Sequence, residues 1–406
     1  MAWWKRNLYI LMVSQFLVMS AISMIMPFLP LYLQQMGLKD PKTVQLWAGF
    51  IFGVNFLSQF IVAPIWGSLA DRYGRKPMIL RSGFGMAVTI FLLGLATSPI
   101  QLFFLRMLNG MISGFIPASI SLMATNTPKE KVGYVLGMMQ AGQVAGSILG
   151  PFIGGLLAEL IGYRDIFFLT SAVLAIASFV VLFQVKEEFQ ASPKQKNESF
   201  FKDGAFILRQ QPLLILFSVG MLLQFAMIGP SPLMSLFVEK LKVPGGYISF
   251  FAGLVTAMTG FANMLSSPFL GKFGDRFGSE RVLFVALIGA GIIFIPHMFV
   301  QNVWELLLLR FLLGLFVGGL LPSLNTLIRK NAPEEKVSTA YGFYQSAVAL
   351  GNMLGPVTYG ILSGPIGIPA TFLLTGILLL LNALWLKHGF KEKTSLSKKN
   401  LMKSSA

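Results

Sequence analysis

Apolar stretches approaching or exceeding 20 residues, separated by short polar turns, follow one another along almost the whole chain. Each is about as long as a helix must be to cross the hydrocarbon core of a bilayer, roughly 20 residues. Twelve spans are predicted, centred near Gln15, Phe56, Thr89, Met111, Gly146, Ser171, Leu223, Met258, Ile288, Leu315, Leu350 and Leu378, six in each half. The pattern predicts an all-α polytopic membrane protein of twelve transmembrane helices in two six-helix bundles. The first stretch, Leu8 to Leu33, follows Lys5 and Arg6 as a signal peptide would. It is too long for a signal-peptide core and lacks a small-residue cleavage site, so it is expected to remain as the first helix. Polar breaks divide the chain into an N-terminal bundle (1–185), a cytoplasmic linker (186–211), a C-terminal bundle (212–386) and a basic cytoplasmic tail (387–406).

The two halves repeat each other. Gly67-Ser-Leu-Ala-Asp71-Arg72-Tyr-Gly74-Arg75-Lys76 returns as Gly271-Lys-Phe-Gly-Asp275-Arg276-Phe-Gly278, at an offset of 204 that also carries Arg106 onto Arg310 and Gly110 onto Gly314. One residue of slip later, Gln140 maps to Gln345 and Gly150-Pro151 to Gly355-Pro356. So many Gly, Pro and Arg matches at one spacing mark a duplicated architecture.

Composition narrows the class. Charged residues make up 12% of the chain and mean hydropathy is +0.71, against about 25% charged in a soluble domain. The net charge of +16 would suit nucleic acid, but its placement argues against such a partner. With both termini inside, all but seven of the 32 Lys and Arg fall on the inner side, which the positive-inside rule reads as cytoplasmic. The basic excess then faces anionic lipid headgroups. Without cysteine there is no disulfide framework and no thiolate metal site. The two His, His297 and His388, are far apart, and neither metal cluster nor nucleophile-base pair can be assembled, so an enzyme is not expected. The Gly-x-x-x-x-Gly-Lys-Ser/Thr loop of an ATP-driven pump is missing.

Polar residues inside the spans are the chemical candidates. A cation near mid-membrane costs about 2.5–3.5 kcal/mol, so Arg106 is expected to be functional. Arg106, Asn109 and Ser113 share a helix face, which should line a central cavity. Arg310 is its repeat, either a cavity residue or a side chain snorkelling past Glu305 to the headgroups. Gln15, Met19 and Met26 on the first helix, Gln140 and Gln143 on the fifth, Gln224 and Met227 on the seventh, and Tyr344, Gln345 and Asn352 on the eleventh are pocket candidates. Amides, 21 Met and 37 Phe would suit varied apolar ligands; the same amides also serve to bond helix to helix. No Asp or Glu sits in the middle of a span. A coupling proton must therefore use Glu159, Glu239 or Glu305 at outer ends, Asp71 or Asp275 at inner ends, or act through Arg106.

The Gly67–Lys76 loop allows tight turns at its glycines and offers Asp71 and Asp275 to neighbouring helix N-termini or to Arg of the other half. Its basic residues alone would also fit simple topology-setting charge. The loop resembles the most widespread signature of the major facilitator superfamily, and the likeness covers both halves. The run Gly142-Gln-Val-Ala-Gly146-Ser-Ile-Leu-Gly150-Pro151-Phe-Ile-Gly154-Gly155 resembles the fifth-helix signature of that superfamily's drug/proton antiporters. Glycines four residues apart give a flat packing face and Pro151 permits a bend; the resemblance places this helix between the halves. Phe103-Phe-Leu-Arg106-Met-Leu-Asn109-Gly110 is similar to the fourth-helix signature of bacterial multidrug efflux pumps, in which the matching Arg is implicated in proton coupling or in organising the fourth helix. The resemblance implies a monomer in the bacterial cytoplasmic membrane. It would export small lipophilic or amphipathic compounds by alternating access, with a proton gradient and no bound cofactor. The alternative within the fold is a lipid, glycolipid or metabolite exporter, which a cavity-facing pair of cations would favour.

Overall fold

A computed structural model of the protein describes residues 3–187, 207, 209–333 and 336–404, except the side chains of 71, 129, 338 and 391–404. The described residues form helices and turns without a strand, as the apolar pattern requires. Twelve helical units follow in order. In the first half they are α1 (Trp3–Gln35), α2 (Pro41–Tyr73), α3 (Arg75–Leu95), α4 (Pro99–Asn126), α5 (Val132–Ile161) and α6 (Tyr163–Gln184). In the second they are α7 (Gln211–Lys240), α8 (Ile248–Phe277), α9 (Ser279–Phe299), α10 (Val303–Asn331), α11 (Val337–Ile366) and α12 (Ile368–Ser404). Most of the predicted linker lies outside the described residues, and the predicted tail continues α12 as helix to Ser404.

Eleven of these units are long and apolar enough to cross a membrane. The one left out, α11, has 30 residues but is diluted by Gly, Ser, Thr and two prolines, Pro356 and Pro365. Twelve apolar spans were the expectation; α11 falls short of the others in apolarity and packs between α2 and α7. Five units are interrupted, α9 by a 3-10 turn at Ile295–Phe299 and α10 by a break at Gly318-Gly319 among them. In α1 and α7 a short 3-10 turn at Met26–Phe28 and Ser231–Leu233 follows the helix, each beside a proline. In α4 the break falls at Ser113-Gly114, where Gly114 has φ +145.

The repeat is visible as repeated packing. In the first half α1 lies on α5 and α6, α2 on α4, and α3 on α6. The same pairs recur as α7 on α11 and α12, α8 on α10, and α9 on α12. The halves meet along a seam of two helix pairs, α5 with α8 and α2 with α11.

Candidate functional site

Glycines show where the seam is closed. A methyl group on Gly155 would lie 2.6 Å from the Ser249 carbonyl, and one on Gly49 2.5 Å from the Pro356 carbonyl. A methyl on Gly360 would meet the Gln45 carbonyl at 2.8 Å, and one on Gly253 would strike the Pro151 carbonyl. All these contacts lie towards the end of the molecule opposite the chain termini. Nearer the termini, on the same four helices, Gly67, Gly133, Gly137, Gly271 and Gly342 have nothing within 4 Å. The halves therefore touch at the far end and part at the termini end.

Polar bonds reinforce the closed end. The Ser249 backbone N–H, in the first turn of α8, donates to Glu159 Oε1 at 2.7 Å. This satisfies one of the donors a helix start leaves free and sets a carboxylate at its positive end. Tyr163 and Ser249 share a hydroxyl–hydroxyl bond of 2.9 Å, and Gln34 Nε2 donates to Glu239 Oε2 at 3.0 Å. All three bonds cross from one half to the other, and Phe152 packs edge-on against Phe250 beside them at 5.9 Å.

Where the seam closes there is a cavity of about 300 Å³, lined by Met26, Phe52, Phe56, Met227, Met234, Thr259 and Arg310 among others. Arg310 Nη2 donates to Met234 Sδ at 3.4 Å, and its guanidinium lies 5.7 and 5.9 Å from the rings of Phe294 and Phe372. His297 packs against the same two rings, its Nδ1 2.8 Å from the Ile293 carbonyl. Of the two readings of Arg310 the structure shows the cavity one, because the side chain turns inward to sulfur and aromatic faces. Arg106 repeats the arrangement: its Nη2 approaches Met26 Sδ at 4.0 Å, and it is buried one side chain behind the cavity wall. Among the described residues neither guanidinium has an ion-pair partner, and the Nε of each is buried without an acceptor.

The other predicted residues are distributed as follows. Asn109 does not face the cavity. Its amide donates to Thr89 Oγ1 at 2.7 Å and its carbonyl accepts from Asn55 at 3.3 Å, tying α2, α3 and α4 together. Ser113 is turned away by the break in α4 and lines a separate cavity of about 330 Å³ with Trp66 and Arg81, which stack at 3.4 Å. Of the ten pocket candidates, Met26 and Met227 line the central cavity. Gln15 is buried and bonds the Ile116 carbonyl at 3.3 Å, while Met19 packs beside Gly146. Gln140 and Gln345 are exposed towards the open end, and Gln143 is half-buried. Gln224 packs near Gly351, Tyr344 is buried against Gly220, and Asn352 is half-buried with its Oδ1 unpaired. Phe52, Phe56, Met234 and Thr259 were missed; the offset from Met26-Pro27 to a Pro-rich break in α7 was the available signal.

The glycine row of α5 also needs correction. Gly142, Gly146, Gly150 and Gly154 do not face the other half. Methyl groups there would meet the carbonyls of Met12, Phe16, Ser20 and Met24 on α1 at 2.5–2.8 Å. A spacing of four keeps these residues on one helix face, and the next face, carrying Pro151 and Gly155, is the one against α8. In the repeat, Gly351 and Gly355 likewise pack on α7.

In the signature loops, Gly74 and Gly278 adopt φ +96 and +94, which explains glycine at both turns. The side chain of Asp71 lies outside the described residues. Asp275 is exposed, without a bond among the described residues, and Arg72 and Arg276 stack on Tyr73 and Phe277. Arg75 Nε donates to Ser121 at 3.2 Å. The acid at the start of α3 is Glu187, assigned above to the linker: its carboxylate accepts the N–H groups of Arg75 and Lys76 at 2.7 and 2.8 Å.

A family model of the Major Facilitator Superfamily matches residues 11–252 and 246–404. Among curated proteins, the multidrug resistance protein MdtG of Escherichia fergusonii is 40% identical over 392 residues, covering 96% of both chains. MdtG of Salmonella typhimurium is 39% identical over 390 residues, again covering 96% of both. Among solved structures, a bacterial homologue of the human lysosomal transporter Spinster, inward-facing and occupied, superposes with a TM-score of 0.80 at 16% identity, covering 96% of this chain and 97% of that one. The nucleoside transporter NupG gives 0.78 at 14% identity, covering 95% and 99%.

Proposed function

The chain belongs to the Major Facilitator Superfamily, and we propose that it is a multidrug-type efflux transporter of the bacterial inner membrane, exporting amphipathic compounds by alternating access. The observation that carries the mechanism is the seam, closed at the far end by α5–α8 and α2–α11 and parted at the termini end. The MdtG relatives, similar over nearly the full length, support the efflux reading.

With the basic surface and both termini cytoplasmic, the parted end faces the cytoplasm. An amphipathic solute enters there and reaches the cavity at Arg310. Rocking of the two halves about this level opens the far end and closes the near one, with the site staying near the middle of the membrane.

A proton gradient drives the cycle through groups at the closed end, since the spans hold no central carboxylate. Glu159 and Glu239 carry two of the three cross-seam bonds. Protonation from outside removes the charge that Glu159 sets against the start of α8 and so favours parting of the far end. Closure re-forms the cap and releases the proton towards the parted, cytoplasmic side, so that one proton moves inward per cycle. In everted vesicles, a fluorescent amphiphile should accumulate on energisation and leak back when an uncoupler is added. Equal accumulation with and without the uncoupler would refute proton coupling. The lipid or metabolite alternative would call for a cavity-facing pair of cations; Arg310 lines the cavity, while Arg106 lies behind its wall.

A further inference from the structure

The cavity of about 330 Å³ inside the first half lies between α2, α3 and α4, at the end near the termini. Arg81 of α3 lines it and lays its guanidinium on the Trp66 ring, 3.4 Å from the ring centre. Stacking occupies the face of the fork, while its N–H donors point outward in the plane. Among the described residues only one of the three nitrogens has an acceptor: Nη2 donates to the Ser113 carbonyl at a long 3.5 Å. Nε and Nη1 are buried without one. The bare break in α4 leaves the fork its room, since a methyl on Gly114 would stand 3.3 Å from Nη2. Gln59 and Ser121 add polar edges, and no Asp or Glu lines the cavity.

The duplication supplies an internal control. The offset of 204 carries Trp66, Met78 and Arg81 onto Leu270, Val282 and Val285, which line a hollow of about 250 Å³ at the matching place in the second half. Phe273, Phe277 and Phe316 complete an apolar wall there, and the exposed Arg281, one turn before Val285, is its one charge. Packing alone therefore asks for no cation at this position, and buried donors without acceptors cost stability. We propose that the Arg81–Trp66 cavity is a binding site for a phosphate group, carried by an anionic phospholipid of the cytoplasmic leaflet or by a soluble phosphate. A tetrahedral acid presents several oxygens, so it can accept from Nε and Nη1 together, as charge-assisted bonds. Ala63, Met78 and Pro117 give the site an apolar flank, and tryptophan suits the depth of the membrane interface. Trp66 Nε1 donates to the Met111 carbonyl at 2.7 Å, so an acid held by Arg81 ties α3 to α2 and to α4 just before its break. The site is separate from the cavity at Arg310 and independent of what that cavity carries.

The test is equilibrium binding to the purified full-length protein in an uncharged detergent. The probes are phosphatidylglycerol with a fluorophore on one acyl chain and the phosphate-free diacylglycerol with the same label. Wild type should bind the phosphatidylglycerol at least about tenfold tighter, as a charge-assisted pair implies. Arg81→Gln should bring the two probes within about twofold by weakening the phosphatidylglycerol alone, and Arg81→Lys, which keeps the charge but loses the fork, should fall between. Arg281→Gln, in the apolar counterpart, should leave the preference as in wild type. Inorganic phosphate is then added at constant ionic strength. Displacement in wild type assigns the site to a soluble phosphate; no displacement assigns it to the headgroup. Equal binding of the two probes by wild type, an unchanged preference in a monodisperse Arg81→Gln, or an equal loss in Arg281→Gln overturns the proposal.

Discussion

Glu159 Oε1 accepts the backbone N–H of Ser249 at 2.7 Å, so the last turn of α5 in one half caps the first turn of α8 in the other. The bond is local chemistry with a global reading, because it can form only while the far end of the seam is shut. Losing a helix cap costs about 0.5–2 kcal/mol, with 1.4 kcal/mol a factor of ten in a two-state equilibrium. Glu159→Ala should therefore raise the population open at the far end by about twofold to thirtyfold. The chain has no native cysteine, so Phe250→Cys, half-buried against Phe152 across the seam, can report it through a membrane-impermeant maleimide. Labelling no faster in the Glu159→Ala background would remove the latch from the account.

Substitutions on adjacent faces of α5 should fail differently. Gly155→Leu places bulk against Ser249 and Phe250, where a methyl already meets atoms at 2.6 and 3.1 Å, so it should prevent far-end closure and abolish transport while the protein still accumulates in the membrane. Gly150→Leu pushes instead into Ser20 of α1 within one bundle. Overpacking of that kind costs about 1–3 kcal/mol, and its signature should be reduced expression and thermal stability. Identical phenotypes would undo the separation of the two faces.

Asn109→Leu should act on stability rather than on substrate. It deletes the bonds to Thr89 and Asn55, and interhelical hydrogen bonds in membranes average about 0.6 kcal/mol each. A loss near 1 kcal/mol in detergent unfolding is expected, with ligand affinity unchanged. Weakened binding at full stability would restore Asn109 to the cavity.

Glu187→Ala should lower the melting temperature by removing the acceptor of two N–H groups at the start of α3, at a cost of about 0.5–2 kcal/mol. Glu187→Gln keeps an acceptor and should fall between the two. An unchanged melting temperature in Glu187→Ala would mean that water caps α3 equally well.

The fold was legible because bilayer thickness writes itself into the length of each apolar stretch, and duplication exposes the two halves without any partner sequence. The weakest signal was α11, where Gly, Ser, Thr and two prolines dilute the apolar run of a helix that packs between α2 and α7. The site was legible in part. Arg106 and Arg310 stand out because a cation in a span is costly, yet the sequence could not say that Arg310 turns inward to Met234. Met26 and Met227 were readable as cavity residues, but Phe52 and Phe56 look like any lipid-facing aromatic. Amides misled because Gln15 and Asn109 satisfy neighbouring helices, and helical periodicity alone does not reveal which neighbour a polar face meets. Glu187 was hidden for another reason: it caps a helix more than 100 residues earlier in the chain.

Alternating access is tested most directly by two spin-label pairs in one cysteine-free background. Ile161→Cys with Tyr247→Cys reads the far end of the seam, and Tyr73→Cys with Phe277→Cys reads the end near the termini; all four side chains are exposed. When the outer face is acidified in liposomes, the first distance should lengthen and the second shorten in the same fraction of molecules. Two distances that lengthen together, or one that moves while the other stays fixed, would contradict rocking about a central site.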